Sequence, residues 1–126
     1  MSAARQKGTE WESRLLPLLR ALFYPDLDVD LEDHPLSRAG TTLGCNDRGD
    51  FLGVPWPHEA KKTDVPHFLQ WAKVLEKKSP GRWTILWSGD QRRKDGPFVM
   101  LPLDFYLQLV AATDPQYDHE AEEWVA

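Results

Sequence analysis

The sequence has one cysteine, Cys45, in 126 residues. It cannot close an internal disulfide, which excludes a small disulfide-stapled secreted scaffold and fits a reducing compartment. No apolar run approaches the roughly 20 residues that a membrane-spanning helix needs. The segment from Met1 to Thr9 is polar, so no signal peptide is expected there and the expected location is cytoplasmic. Basic residues are also in short supply. Fifteen Lys and Arg face twenty Asp and Glu, for a net charge of −5. Phosphate backbones attract Lys and Arg, so the whole-chain balance speaks against nucleic acid. What is present is a sizeable apolar fraction: 41% hydrophobic, with six Trp. That excludes wholesale disorder and suffices for one core without staples. The length fits one domain.

The acid is unevenly placed. Residues 26–33 hold Asp26, Asp28, Asp30, Glu32 and Asp33, with no Lys or Arg. Residues 113–126 hold five more acids and again no Lys or Arg. Between residues 61 and 112, nine basic residues outnumber five acidic ones. The chain therefore divides into a domain at 1–112 and an acidic tail at 113–126, which reads as mobile.

Thr9 and Glu12 have the spacing of a capping box. Leu15, Leu16, Leu19, Leu22 and Phe23 follow at helical spacing, predicting a first helix over 9–24. Pro17 should kink or split it, because the carbonyl of Ser13 loses its donor. Leu27, Val29 and Leu31 alternate with acids and predict a half-buried strand over 27–33. A Gly-rich loop runs from Pro35 to Gly49. Asp50–Val54 and His58–Lys62 read as short strands joined at Pro55-Trp56-Pro57, with Trp56 exposed at the turn as a candidate for base stacking. Trp11, Trp71, Trp83 and Trp87 are expected in the core. Asp64 is placed to cap a second helix with Pro66 in its first turn, ended by Ser79-Pro80-Gly81. Trp83–Trp87 and Phe98–Leu101 read as strands around a polar turn at Gly89–Gly96. A third helix is expected at about 103–112. The fold class is α/β with a mixed central sheet.

Alternate strand residues share a face, so Glu59 and Lys61 project together, with Ala60 turned away. The preceding turn brings Asp50 beside Glu59. Two neighbouring carboxylates suit Mg²⁺, or Mn²⁺ as its substitute, since these ions take oxygen ligands. A lysine beside them suits water activation and charge stabilisation at a phosphate. Glu12, early in the first helix, can complete the acidic set. Bound Mg²⁺ would reverse the local sign, which narrows the objection raised by the net charge.

Asp50 followed by Glu59-Ala60-Lys61 resembles the split signature of the PD-(D/E)XK nuclease superfamily. Lys7-Gly8-Thr9-Glu10-Trp11-Glu12 is similar to the opening motif of archaeal-type Holliday junction resolvases and their actinobacteriophage relatives. Ser37-Arg38-Ala39-Gly40 and Asn46-Asp47-Arg48-Gly49-Asp50 resemble the Gly-rich approach to their metal-binding Asp. The resemblance covers about residues 7–110. It implies a restriction-endonuclease-like core: a helix, a three-stranded meander, a helix, two further strands and a C-terminal helix. It further implies that Asp50, Glu59 and the Ala60 carbonyl bind metal, that Lys61 positions the attacking water, and that Glu12 holds metal-bound water or a second metal. The implied reaction is hydrolysis of branched DNA, leaving a 5′-phosphate, by a homodimer in the cytoplasm (the host's, for a phage-encoded protein). A nickase, flap nuclease or exonuclease, or an inactive DNA-binding module of the same fold, remains an alternative.

Lys7, Arg38, Arg48, Lys62, Arg92, Arg93 and Lys94 are candidate DNA contacts, which would position the duplex without reading sequence. Gln70, on the second helix, is a weaker candidate facing the site. The four histidines show no metal-ligand spacing.

Overall fold

The computed structural model describes residues 3–39 and 49–125, with side chains from Thr9 onward. The chain is mixed α/β. The first helix, α1, spans Ala3–Phe23. It begins earlier than the capping-box spacing predicts, so Thr9 and Glu12 lie inside it and not at its N-terminus. It also runs unbroken through Pro17. Pro17 and Ser13 are both exposed, so water can satisfy the freed Ser13 carbonyl. Trp11, Leu15 and Leu19, one turn apart, form the buried stripe.

No strand forms over 27–33. The chain instead descends in successive turns, with Leu27 N–H bonding to the Tyr24 carbonyl, Leu31 N–H to Asp28, and His34 N–H to Leu31. The Asp28 carboxylate accepts the Asp30 N–H at 2.9 Å, a local turn that competes with extended pairing. Arg20 fixes this segment to α1 by donating to the carbonyls of Val29 at 2.9 Å and Leu36 at 2.8 Å. The five acids of residues 26–33 are all exposed.

The first strand is β1 (Ser37–Arg38), antiparallel to β2 (Phe51–Leu52). The strand expected over 50–54 shortens to two residues. Asp50 is a bend, and Gly53 turns at φ 79° against the Pro35 carbonyl, where a Cβ would come within 2.2 Å. β3 (His58–Lys62) falls where the sequence predicts it. It leads through α2 (Phe68–Lys78) to β4 (Thr84–Ser88), which lies parallel to β3. β5 (Phe98–Met100) returns antiparallel to β4. The central sheet is therefore three-stranded and mixed, in the order β3-β4-β5. The β1–β2 pair is a separate sheet, tied to β3 through a bridge between Gly49 and His58. The expected continuous meander is thus broken in two.

α1 covers one face of the sheet, and the Trp11 indole donates to the Leu86 carbonyl at 3.0 Å. Leu36, Phe51, Ala60 and Leu86 pack with it. α2 covers the opposite face, where Leu75, Trp83 and Ile85 form a second cluster with Trp71 and Ala72. α3 (Leu103–Thr113) follows Pro102. The acidic tail holds a small hairpin of β6 (Gln116–Asp118) and β7 (Glu123–Val125). Among the described residues, no helix is long and apolar enough to cross a membrane.

Candidate active site at the edge of β3

β3 is paired on one side only by β4, so its other edge is available to Asp50. The Asp50 N–H donates to the His58 carbonyl at 2.9 Å. Its carboxylate accepts the Ala60 N–H at 2.7 Å. Both bonds come from even-numbered positions of β3, while Thr63 N–H bonds to Ser88 on the β4 side at 3.1 Å. In an extended strand the N–H and C=O of one residue project to the same side. The Ala60 carbonyl therefore faces the Asp50 edge. Gly49 makes this approach possible. Its φ is 91°, and a Cβ there would meet the His58 carbonyl oxygen at 2.6 Å.

Glu59 pairs with Ile85 and Lys61 with Trp87 across the parallel ladder. Ile85 belongs to the cluster beneath α2, so Glu59 and Lys61 project to the α2 face. The Lys61 ammonium lies 5.5 Å from the centre of the Trp71 ring. Ala60 projects the other way, onto the α1 cluster. Asp50 thus stands at the strand edge, with Glu59 rising from the face beneath α2 and Glu12 arriving on α1.

The electrostatics show how close these groups are. Burial pushes the Glu59 carboxyl up to about 8, assisted by the Asp50 charge and a hydrogen bond to Asp50; Lys61 and Lys78 pull the other way. Burial and the Asp50 charge thus both favour the protonated Glu59 carboxyl, the form that leaves the pair one negative charge fewer. Glu12 is also raised, first by burial and then by the Asp50 charge, against the opposing charge of Arg38. Arg38 Nε lies 3.5 Å from Glu12 Oε1. Arg38, expected at the DNA, is engaged with the acidic set itself.

Asp50, Ala60 and Glu59 come together, with Glu12 within electrostatic reach and Lys61 on the Glu59 face. Among the described residues, no three His, Cys, Asp or Glu side chains form a group that could hold a metal ion. A metal at this edge would rest on Asp50, Glu59 and the Ala60 carbonyl, which are oxygen donors of the type Mg²⁺ takes.

The other candidates are dispersed. Lys62 is half-buried, directed away from the face of Glu59 and Lys61. Gln70 is exposed on α2. Lys7 lies in α1, with its side chain outside the described residues, as is all of Arg48. Arg92, Arg93 and Lys94 are exposed in the β4–β5 loop. Trp56 is not an exposed stacking platform. Its indole donates to Thr84 Oγ1 at 2.8 Å, and its ring stacks on His58 and meets Phe105 edge-on.

Sequence reasoning missed one residue. Asp64 does not cap α2, whose N-cap is His67 with no side-chain bond. Asp64 Oδ1 instead accepts the main-chain N–H groups of Asp90, Arg92 and Arg93 at 3.2, 3.0 and 3.1 Å. It ties the basic loop to the end of the strand that carries Glu59 and Lys61. Nothing local signals this, because the partners are 26 to 29 residues away.

No family model, curated protein or solved structure matches the chain.

Proposed function

We propose that the protein is a Mg²⁺-dependent endodeoxyribonuclease of the PD-(D/E)XK type, with a restriction-endonuclease-like core, acting on branched DNA as a Holliday junction resolvase-like homodimer. The observation that carries this reading is the Asp50–Glu59 pair at the Ala60 main chain. A carboxyl group held protonated beside a carboxylate is unfavourable to ionise alone, and a divalent cation relieves that cost. When bound, the metal supplies positive charge to a scissile phosphate and lowers the pKa of water.

The chain's own residues do the rest. Asp50 and Glu59 would hold the ion, and the Ala60 carbonyl would add a neutral oxygen. Lys61 orients the attacking water and stabilises charge on the phosphate. Glu12 completes the acidic edge, and Arg38 keeps it from repelling substrate. Arg92, Arg93 and Lys94 contact phosphates beside the site. The single cysteine and the lack of a membrane-spanning helix among the described residues suit a cytoplasmic enzyme.

The test is cleavage of a synthetic four-way junction with and without Mg²⁺, alongside linear, nicked and flapped DNA. Paired symmetric cuts that need Mg²⁺ and vanish in Asp50→Ala and Glu59→Ala support the reading. Wild-type cleavage that survives both substitutions sinks it. Preference for nicked, flapped or linear DNA would assign the same chemistry to a nickase, flap nuclease or exonuclease. One observation favours an inactive module: burial and the Asp50 charge both favour a protonated Glu59. Junction binding without cleavage at any Mg²⁺ concentration would establish that alternative.

A further inference from the structure

α3 presents more apolar surface than it buries. Leu103, Phe105, Tyr106, Leu107, Leu109 and Val110 crowd its eleven residues, yet Phe105 alone is buried. A helix apolar on most sides normally lies inside a protein or an interface. Leu103 is 69% exposed and Leu107 53%. Beside it lies an apolar groove of about 1000 Å³, walled by α1, the sheet and α3, with Leu22, Phe23, Trp56, Val99, Leu103 and Tyr106 in its lining.

The chain also carries an exposed arm with an aromatic pair among acids. The β6–β7 hairpin sets Tyr117 against Trp124, ring centroids 5.3 Å apart. Every residue from 111 to 125 is exposed, and Trp124 is 68% exposed. Asp114 and Pro115 alone join the hairpin to α3. Two residues reach at most about 7 Å. Asp114 is fixed in the left-handed region at φ 46°, and proline restricts its own φ. None of the hairpin residues lines the groove that its own α3 walls.

We propose that the groove receives the β6–β7 hairpin of a second copy of this chain, and that the exchange is reciprocal about a two-fold axis. Exchange of an identical element is a low-cost route to a closed dimer. Charge agrees with it. The hairpin carries Asp118, Glu120, Glu122 and Glu123. The Arg82 guanidinium lies 5.8 Å from the ring of Trp56, which lines the groove, and so brings a cation next to a residue that the acidic hairpin would meet. The inference rests on the dimeric part of the proposed function and not on its metal chemistry.

The test is the mass of the full chain in solution, by sedimentation equilibrium. A wild-type dimer is expected. Deleting residues 115–126 should give a monomer, and Trp124→Ala or Leu103→Glu should weaken the dimer at least about tenfold. Both side chains are exposed, so each variant should keep the wild-type far-UV spectrum, and its melting temperature should fall only by the lost dimer linkage. Mixing the Trp124→Ala and Leu103→Glu proteins leaves one sound arm and one sound groove and should restore a heterodimer. A wild-type monomer overturns the proposal together with the dimeric reading. A dimer that survives the deletion unchanged overturns the arm exchange alone. Junction cleavage on the same samples reports the metal chemistry separately.

Discussion

The Asp50 carboxylate accepts the Ala60 N–H at 2.7 Å, and its charge adds to burial in raising the neighbouring Glu59 carboxyl. One proton thus sits where a cation would bind. A ligand must lose its proton to bind a metal, so Mg²⁺ binding should release close to one proton near neutral pH. Its affinity should rise as pH climbs toward about 8. A ligand that binds only the folded chain raises the melting temperature by mass action. The rise caused by Mg²⁺ should therefore be larger at about pH 8.5 than at about pH 6, and Asp50→Asn should abolish it. Calorimetry in buffers of different ionisation enthalpy counts the proton. An Mg²⁺ effect independent of pH would contradict the pairing.

The same proton makes stability depend on pH without metal. Glu59 in the folded chain titrates near 8, above its ordinary value of 4.5. The folded state therefore holds this proton more tightly than the unfolded state does. That contribution is complete below 4.5 and is lost as pH rises through 8. Glu59→Gln keeps a neutral group of the same shape and has no proton to lose. It should flatten the decline and leave the metal-free protein more stable by about 1–3 kcal/mol at the alkaline end. Urea unfolding across the range measures it. Parallel pH curves for wild type and variant would refute the assignment.

The regular elements of the core were the most legible. The Glu59/Lys61 strand, the second and third helices, and the strands at Thr84–Ser88 and Phe98–Met100 follow from local periodicity and turn residues. The adjacency of Asp50 to Glu59 also followed, although through edge bonds to His58 and Ala60 and not through a strand ladder. Alternation failed at 27–33, because period-two hydrophobicity carries no information about a partner strand. There Arg20 and the Asp28 turn fix the backbone instead. Asp64 and Trp56 were misread for a related reason. Both look like local turn residues, and their decisive partners, the Arg92/Arg93 backbone and the Thr84 hydroxyl, are distant in sequence.

Trp11 holds the helix that carries Glu12 onto the sheet. It is 3% exposed, and its indole bonds to the Leu86 carbonyl at 3.0 Å. Trp11→Phe keeps most of the packing and removes one donor from a carbonyl that the β3–β4 ladder still serves, which should cost about 0.5–1.5 kcal/mol. Trp11→Ala adds a cavity and should cost about 3–5 kcal/mol. A Trp11→Phe protein as stable as the wild type would show that the hydrogen bond contributes nothing. Denaturant midpoints separate the cases, provided the slopes remain equal.

Asp64 couples the end of β3 to the basic loop at Gly89–Gly96. Its three main-chain bonds hold the carboxyl below its ordinary value, with the Arg93 N–H as the largest cause. A carboxyl lowered by folding supports the loop above its unfolded value and releases it as pH falls through the folded one. Asp64→Ala removes all three acceptor contacts without touching Asp50 or Glu59. Hydrogen exchange at Asp90, Arg92 and Arg93 should accelerate, while amides of β4 keep their protection. If Arg92 and Arg93 contact phosphates, DNA affinity should fall and its salt dependence should become shallower. The melting-temperature response to Mg²⁺ should remain that of the wild type. A loop that stays protected in Asp64→Ala would show that the Arg93–Asp95 ion pair, at 3.7 Å, and the Gly89–Asp95 main-chain bond, at 3.1 Å, suffice to order it.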